Sequence, residues 1–430
     1  MVYQLGILGL GTVGGGVAQV LLTPEQRHPL LQELQIKKVG VRDLDKPRPV
    51  NFPPEILTTD LQSIVQDAEI DIVVELLGGL EPARTLILEA IAQGKHIVTA
   101  NKAVISRFGD EIFTAANQAG VYVMLEAAVA GGIPVIQPLK QSLGANRIHT
   151  VTGILNGTTN YILTRMQQEK GDFAEILADA QRLGYAEADP STDIDGLDAA
   201  DKIAILASLA FGGRIARDEV YCQGIRSVTA VDIAYADKLG FVIKLLAIAH
   251  RDFSQADNAL ELRVHPTLVP LDHPLASVNG VHNAVLIAGE PLGEVMFYGP
   301  GAGAGATASA VVADLINIAA LLPMGNQSHP LLTCTHDHYC PIVPLAQVSS
   351  RFYARLLAED HPGVLGKLGT CFGNYGVSLE SLVQIGIKDD LAEVVVVTHH
   401  VCEGEFRQAL DEIKSLISVN QVASVLRVLA

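Results

Sequence analysis

The sequence predicts an α/β chain of three parts: a doubly wound parallel sheet, a mixed α+β domain, and a C-terminal module of ferredoxin-like order. Three observations predict it. The chain opens with a strand, a glycine turn and a helix in YQLGILGLGTVGGGVAQVLL. Strands then alternate with helices of about a dozen residues, the pattern of a parallel sheet with helices on both faces. From Arg351 the order is strand-helix-strand-strand-helix-strand, that of the split β-α-β unit.

In the opening stretch Gly9, Gly11 and Gly14 match G-x-G-x-x-G. The first glycine allows the tight turn, the second lets a pyrophosphate approach the backbone, and the third lets helix and strand pack closely. Strand, turn and helix in that order predict a Rossmann-type dinucleotide domain over 1–134, against the plainer reading of a glycine turn kept for packing. The strand IKKVGV runs out at Arg42 and Asp43, where such a domain reads the adenosine ribose. An arginine there suits a 2′-phosphate, so the expectation is NADP(H), with NAD(H) as the alternative. DIVVEL, a GGLEPA turn with Pro82 at a helix start, TLILEAIAQG and KHIVTA continue the alternation as far as Asn101-Lys102. Lys102 therefore follows a strand at the carboxyl edge of the sheet, where ligands bind. A further helix and the strand VYVMLEA bring in Glu126.

A second domain is expected over 135–300, with strands RIHTVTGIL, DEVYCQGI, FVIKLLAIAH, ALELRVHPTLV, AVLIAG and GEVMFYG in a mixed sheet able to pair subunits. Before it, AAVAGGIPVIQPL reads as a turn feeding a helix, and Gly131 and Gly132 leave carbonyls open to a cation that the Glu126 carboxylate could join. The helix GTTNYILTRMQQ starts at the cap-rich Asn156-Gly157-Thr158-Thr159. LGYAEADPSTDIDGLDAADKIAILASL then crowds Glu187, Asp189, Asp193, Asp195 and Asp198 into a loop and helix start, ahead of Lys202. Asp198 and Lys202 share a helix face. A calcium loop is excluded, because alignment on D-I-D-G puts Lys202 where the bidentate carboxylate belongs. A solvated ion pair would be the plain reading of Asp198 and Lys202; a polar pocket for an amino-acid-like substrate is the chemical one.

The glycines of GPGAGAGATASAVVADLINIAALL can close over a phosphate or nicotinamide before a helix over 301–322 returns to the first domain. A connector over 323–348 carries Cys334, His336, His338 and Cys340, in a spacing that matches no zinc-finger pattern. The last module spans 349–430. There Asp360-His361-Pro362-Gly363 is expected to cap the first helix, whose N–H groups could receive a small carboxylate.

Composition narrows the partners. With 30 Lys+Arg against 47 Asp+Glu the net charge is −17, which repels nucleic acid and anionic membrane. No uninterrupted apolar run of bilayer length and no basic, cleavable leader is read, and five scattered cysteines fit a reducing compartment, so a cytoplasmic location is expected.

The runs GLGTVG, VVELLGGLEPA, VTANKAVIS, EAAVAGGIPVI, GILNGTTNYIL, LGYAEADPSTDIDGLDAADKIAILA and GPGAGAGATASAVVAD together resemble homoserine dehydrogenase over nearly the whole chain. The stretch from Arg351 resembles an ACT domain, the amino-acid-binding regulatory module. With no aspartate-kinase segment ahead of the strand at residue 3, the resemblance is to the monofunctional form. It implies NAD(P)-dependent interconversion of L-homoserine and L-aspartate 4-semialdehyde, in threonine, methionine and isoleucine biosynthesis. By resemblance Lys202 transfers the proton, with Lys102 polarising the same oxygen or acting with it, and two neighbouring cations lower each other's pKa. Glu187 would bind the substrate ammonium, and Asp193 and Asp198 would orient substrate and Lys202. The cofactor set would be Gly9, Leu10, Gly11, Thr12, Val13, Gly14, Arg42, Lys102 and Gly303. A monovalent cation, sodium in relatives, would take the Glu126 carboxylate and the carbonyls of Val129, Gly131 and Ile133. L-threonine is the implied effector, placed at Asp360, Pro362 and Gly363, and a homodimer or homotetramer is the implied assembly. One departure is Thr192, where some relatives carry an acid. Two rivals are weaker: aspartate-semialdehyde dehydrogenase needs a nucleophilic cysteine and no motif loop has one, while a non-catalytic sensor has no use for Lys102 and Lys202.

Overall fold

In a computed structural model the described residues are 2–254, 258–325, 329–388 and 391–429. The chain opens with β1 (Tyr3–Leu8), α1 (Thr12–Leu22), β2 (Leu34–Gly40), β3 (Leu57–Thr58), α2 (Gln62–Val65), β4 (Ile72–Glu75), α3 (Ala83–Ala92), β5 (His96–Thr99), α4 (Lys102–Ala119) and β6 (Val123–Met124). α5 (Ile136–Lys140), β7 (Arg147–Ile154), α6 (Gly157–Glu169), α7 (Phe173–Arg182), α8 (Ser191–Ile194) and α9 (Leu197–Phe211) follow. Next come β8 (Tyr221–Cys222), α10 (Ala230–Lys238), β9 (Phe241–Arg251), β10 (Leu260–Pro270), β11 (His282–Glu290), β12 (Gly293–Pro300) and α11 (Ala304–Leu321). The last part holds β13 (Ser349–Glu359), α12 (Val364–Asn374), β14 (Leu379–Lys388), β15 (Leu391–Thr398), β16 (Val401–Cys402), α13 (Glu403–Lys414) and β17 (Val419–Val428). Two compact units emerge, one of Met1–Leu155, Asp201–Glu219 and His282–Cys340, the other of Asn156–Ala200, Val220–Val281 and Pro341–Ala430.

The first unit is built on a parallel sheet of order β3-β2-β1-β4-β5-β6. Its central strands are covered on both faces: Leu5, Ile7, Ile72, Val74 and Val98 are fully buried. The order reverses between β1 and β4, which opens a crevice at their carboxyl ends. β7 and β12 flank β11 in an antiparallel ribbon of the same unit. The expectation that no uninterrupted apolar run reaches bilayer length holds, since the 18 residues of α11, long and apolar enough by composition, are interrupted by Asp314. α11 is a core helix all the same: Ala308, Val311, Leu315 and Ile318 pack with Val17 and Ala18 of α1, and Asp314 in its middle is fully buried.

In the second unit β9 and β10 form a long antiparallel pair, and β10 continues in parallel register into β17, with Thr267 opposite Arg427 and Leu268 opposite Val428. β17-β13-β15-β14 then run antiparallel, the strand order expected of a ferredoxin-like unit. α12 and α13 cover it through Phe352, Phe372 and Phe406, with Phe352 and Phe406 stacked at 4.1 Å. Some local expectations change. DEVYCQGI keeps only two strand residues, Tyr221–Cys222, and the loop after Pro190 contains the helical turn α8. α7 and α10 were not read from the sequence, although Thr229 and Asp232 form a capping box at the start of α10.

Candidate active site

At the end of β1 the three glycines divide their work as the sequence implied. Gly9 sits at φ +104°, and a Cβ on Gly14 would overlap the Gly9 carbonyl, so both are packing positions. A Cβ on Gly11 would meet nothing within 4 Å, and no side chain caps α1 there. Gly11, the residue at which α1 starts, lines a cleft of about 470 Å³, where helix-terminus electrostatics favour an anion. Gly9, Leu10, Gly11 and Arg42 line it together. Thr12, Val13 and Gly14 form the first turn of α1 behind them, while Lys102 and Gly303 are not among the lining residues. Gly303 starts α11, whose first carbonyl lies against Gly16 of α1.

Sequence reasoning missed two cations of the same wall, Lys46 and Arg48. Arg48 donates to the carbonyls of Leu44 (2.9 Å) and Lys46 (2.8 Å) and to that of Asp43, which fixes the loop beyond β2. Three basic side chains around one mouth suit a dianionic phosphate better than a bare ribose hydroxyl. The signal was the basic run after Asp45, KPR, which follows Arg42 closely.

Lys102 is the first residue of α4, and Asn101 caps that helix by accepting from the Val104 N–H. Lys202, in α9, is buried and donates to the Leu155 carbonyl at 2.6 Å. Its neighbour Asp201 accepts from Arg217 Nε at 2.6 Å and pairs with Arg107 of α4 at 3.1 Å, a tie between the two lysine-bearing helices that sequence reasoning did not find. Beyond this tie lies a cavity of about 70 Å³ lined by Phe113, Ala204, Ser208, Arg214 and His336, among others. His336 Nδ1 is 3.2 Å from Ser208 Oγ and 3.5 Å from Cys334 Sγ. Burial pushes the His336 pKa down and the Cys334 pKa up, which favours neutral forms of both. No group of three or more His, Cys, Asp or Glu among the described residues could hold a metal ion, and none of the five cysteines is in a disulfide.

In the second unit Asn156 joins two of the expected acids. Its Oδ1 caps α6 by accepting from the Thr159 N–H at 2.8 Å, and its Nδ2 donates to Asp193 Oδ1 (2.7 Å) and Asp198 Oδ2 (2.9 Å). Thr158 Oγ1 lies 2.9 Å from Asp193 Oδ2. An amide between two carboxylates holds them in place without cancelling their charge, as a site for an ammonium group requires. Glu187 is exposed and outside this hub, with its backbone carbonyl bonded by Gln181.

The Glu126 carboxylate also accepts the N–H groups of Val135, Ile136 and Gln137 at 2.7–2.8 Å and so caps α5. Val129, Gly131 and Ile133 are buried, and their carbonyls accept no hydrogen bond among the described residues. Buried carbonyls without donors fit a hard cation, with the carboxylate as a neighbouring charge. Asp314 accepts from the Glu126 N–H at 2.8 Å, and burial, then the charge of Glu126, raises its pKa well above the carboxylate range. In the C-terminal module the cap of α12 is Gly363, at φ +90°, the last residue of the expected run, while the Asp360 carboxylate accepts from Gln384 at 3.2 Å. Pro362 is exposed beside it.

Comparison with known proteins agrees with this arrangement. Residues 134–316 match the family model "Homoserine dehydrogenase", 9–126 its "NAD binding domain" and 352–418 "ACT domain". A homoserine dehydrogenase of Synechocystis sp. is 65% identical over 433 residues, covering 100% of both chains. The crystal structure of a homoserine dehydrogenase from Thiobacillus denitrificans superposes with a TM-score of 0.93 at 42% identity, over 100% of this chain and 98% of that one. A hyperthermophilic archaeal homoserine dehydrogenase in complex with NADPH covers 74% of this chain and 98% of its own, with a TM-score of 0.63 at 28% identity. The α1 cleft and the acids joined by Asn156 therefore belong to an oxidoreductase with an NAD-binding domain and a C-terminal ACT domain, and the chain is a member of the homoserine dehydrogenase family.

Proposed function

We propose that this chain interconverts L-homoserine and L-aspartate 4-semialdehyde with NADP(H) as the preferred cofactor and NAD(H) as the weaker one. The observation that carries the reading is α9, in which Asp198, joined to Asp193 through Asn156, precedes a buried Lys202 by one helical turn. A nicotinamide cofactor held by Gly9, Leu10, Gly11 and Arg42 would supply the acceptor or donor of the hydride at the carbinol carbon. Lys202, in its neutral form, takes the hydroxyl proton, with the Leu155 carbonyl orienting its Nζ. Lys102 polarises the same oxygen. Glu187 binds the substrate ammonium, and Asp193 and Asp198 orient the substrate and Lys202.

Arg42, Lys46 and Arg48 support the NADP(H) preference, as does the archaeal relative solved with NADPH. A monovalent cation, sodium by family likeness, is held by the carbonyls of Val129, Gly131 and Ile133 beside Glu126, and its role is structural. The ACT domain takes L-threonine near Asp360, Pro362 and Gly363 as a feedback effector of threonine, methionine and isoleucine biosynthesis in the cytoplasm. Two or four copies assemble, and exposed Met296 and Tyr298 on edge strand β12 support pairing there.

The test is the initial rate of homoserine-dependent NADP⁺ reduction, with NAD⁺ in parallel and with L-threonine added. Lys202→Ala is expected to lose ~10³-fold in turnover, within the range general acid–base catalysis supplies, while binding NADPH normally by nucleotide fluorescence. Unchanged turnover would remove Lys202 from the reaction. Suppression by threonine supports the regulatory reading, and indifference assigns the module to assembly or another amino acid.

A further inference from the structure

Two of the sequence runs, VVELLGGLEPA and VTANKAVIS, acquire no chemical role from the site described above beyond Lys102 itself. In the first unit they meet at Glu75, the last residue of β4, paired with Leu8 of β1 on one side and Thr99 of β5 on the other. Glu75 is 0% exposed. Its Oε1 accepts the Leu77 N–H at 2.8 Å, and its Oε2 accepts the Thr99 hydroxyl at 2.6 Å. Thr99 Oγ1 in turn accepts the Asn101 N–H at 3.0 Å. The Asn101 amide reaches Gly79 O at 2.8 Å and stands 3.5 Å from Glu75 Oε1. One carboxyl group thus fastens two things: the loop Leu76–Gly78, which forms a wall of the cofactor cleft, and the turn from which α4 and Lys102 start. The fully buried position is costly for an ion, and burial pushes the Glu75 pKa up, opposed by the hydrogen bonds from Thr99 and Leu77. A glutamate kept there at that cost calls for a task that an apolar residue could not perform.

We propose that Glu75 is a positioning residue of the dehydrogenase reaction, which sets the cofactor loop and the Lys102 turn in one fixed relation. It touches neither substrate nor cofactor, and it acts through Leu77, Thr99 and Asn101. The proposal rests on the reading that Lys102 works in the reaction.

The experiment compares Glu75→Ala, Glu75→Gln and Thr99→Val with the unaltered full-length enzyme. It reads NADPH affinity by fluorescence, kcat and KM for both substrates, and the isotope effect with homoserine deuterated at the carbinol carbon. A misplacement on the scale of an ångström costs up to ~10²-fold in rate. Glu75→Ala is therefore expected to lower kcat by ~10-fold or more, weaken NADPH by several-fold and raise the isotope effect, with KM for homoserine unchanged. Glu75→Gln keeps the shape and the neutral form and is expected to restore most of the rate. A purely structural role would lower the fraction of active protein and leave the isotope effect and the remaining active sites alone. Thr99→Val, which removes a single hydroxyl, is expected to move the same readouts less and decides the matter should Glu75→Ala not fold. Unchanged NADPH affinity, kcat and isotope effect in the folded variants overturn the proposal. Lys102→Ala separates this failure from that of the reading beneath it: full turnover there removes Lys102 from the chemistry, while the NADPH affinity of the Glu75 variants still reports on the loop.

Discussion

The crevice of the parallel sheet and the joint between β10 and the C-terminal module are built by opposite means. The crevice relies on backbone: glycines that close a turn, N–H groups at a helix start, and one buried carboxyl shared between two loops. The joint relies on buried charge. Arg355 of β13 reaches Asp232 of α10 at 2.9 Å and Glu393 of β15 at 3.1 Å, and Tyr235 of α10 also donates to Glu393. Arg427 grips Glu403 through two bonds, at 2.9 Å and 2.5 Å, while Arg407 reaches the same carboxylate at 2.9 Å. Backbone construction leaves amides free for a ligand. Ion pairs turn their donors toward the protein itself and fix which surfaces meet.

The largest expected effect tests that difference. Arg355→Ala leaves Asp232 and Glu393 buried without their cation, and breaking a buried pair from one side costs ~3–5 kcal/mol. Equilibrium unfolding in urea should show it as a lower midpoint, with NADPH binding to the remaining native protein unaltered. A change below ~1 kcal/mol would mean that the joint tolerates solvent and that its charges behave like surface pairs.

A smaller, more local effect separates the two uses of Asn156. Asn156→Ser retains a side-chain oxygen able to cap α6, so the helix keeps its start. It loses the amide between Asp193 and Asp198. The kcat/KM for homoserine should fall ~10²-fold, a reasonable cost for two displaced, hydrogen-bonded carboxylates, while KM for NADP⁺ stays put. An equal fall in both substrates' parameters would assign Asn156 to the fold instead.

This residue also shows where the sequence stopped being readable. As a cap, Asn156 was legible from its neighbours Gly157, Thr158 and Thr159, because capping is local. Its bonds to Asp193 and Asp198 span 37 and 42 residues, and no periodicity reports on them. The same distinction runs through the chain. The glycine turn, the alternation through β1, β2, β4, β5 and β6 and the order of the last module are local patterns and were legible, while the short β3 and α2 between β2 and β4 were not. Asp201 with Arg107, 94 residues away, was not. Nor was the parallel register of β10 with β17, since a strand's edge partner leaves no mark on its own apolar run. Asp360-His361-Pro362-Gly363 divides the same way: Gly363 supplies the cap that the local run named, and the contact of Asp360 with Gln384, 24 residues away, left no local mark.

The smallest effect concerns a charge that belongs to neither construction. Lys244 of β9 is 1% exposed, and its ammonium donates to Val278 O at 2.6 Å, Asn279 Oδ1 at 3.0 Å and Asn160 Oδ1 at 3.3 Å, with no carboxylate among these partners. Burial lowers its pKa to about 8. Below that pH the folded chain carries the full cost of a desolvated ammonium. Between about 8 and the ordinary lysine value the unfolded chain holds the proton and the folded chain has released it, so this group's contribution to stability rises with pH. Lys244→Met has no such dependence. Measured in urea, the wild type should gain on the variant as the pH is raised from 8 toward 10. A constant difference across that window would show that three neutral oxygens suffice to hold a buried ammonium at its usual pKa, and that carboxylates in the joint above serve specificity more than solvation.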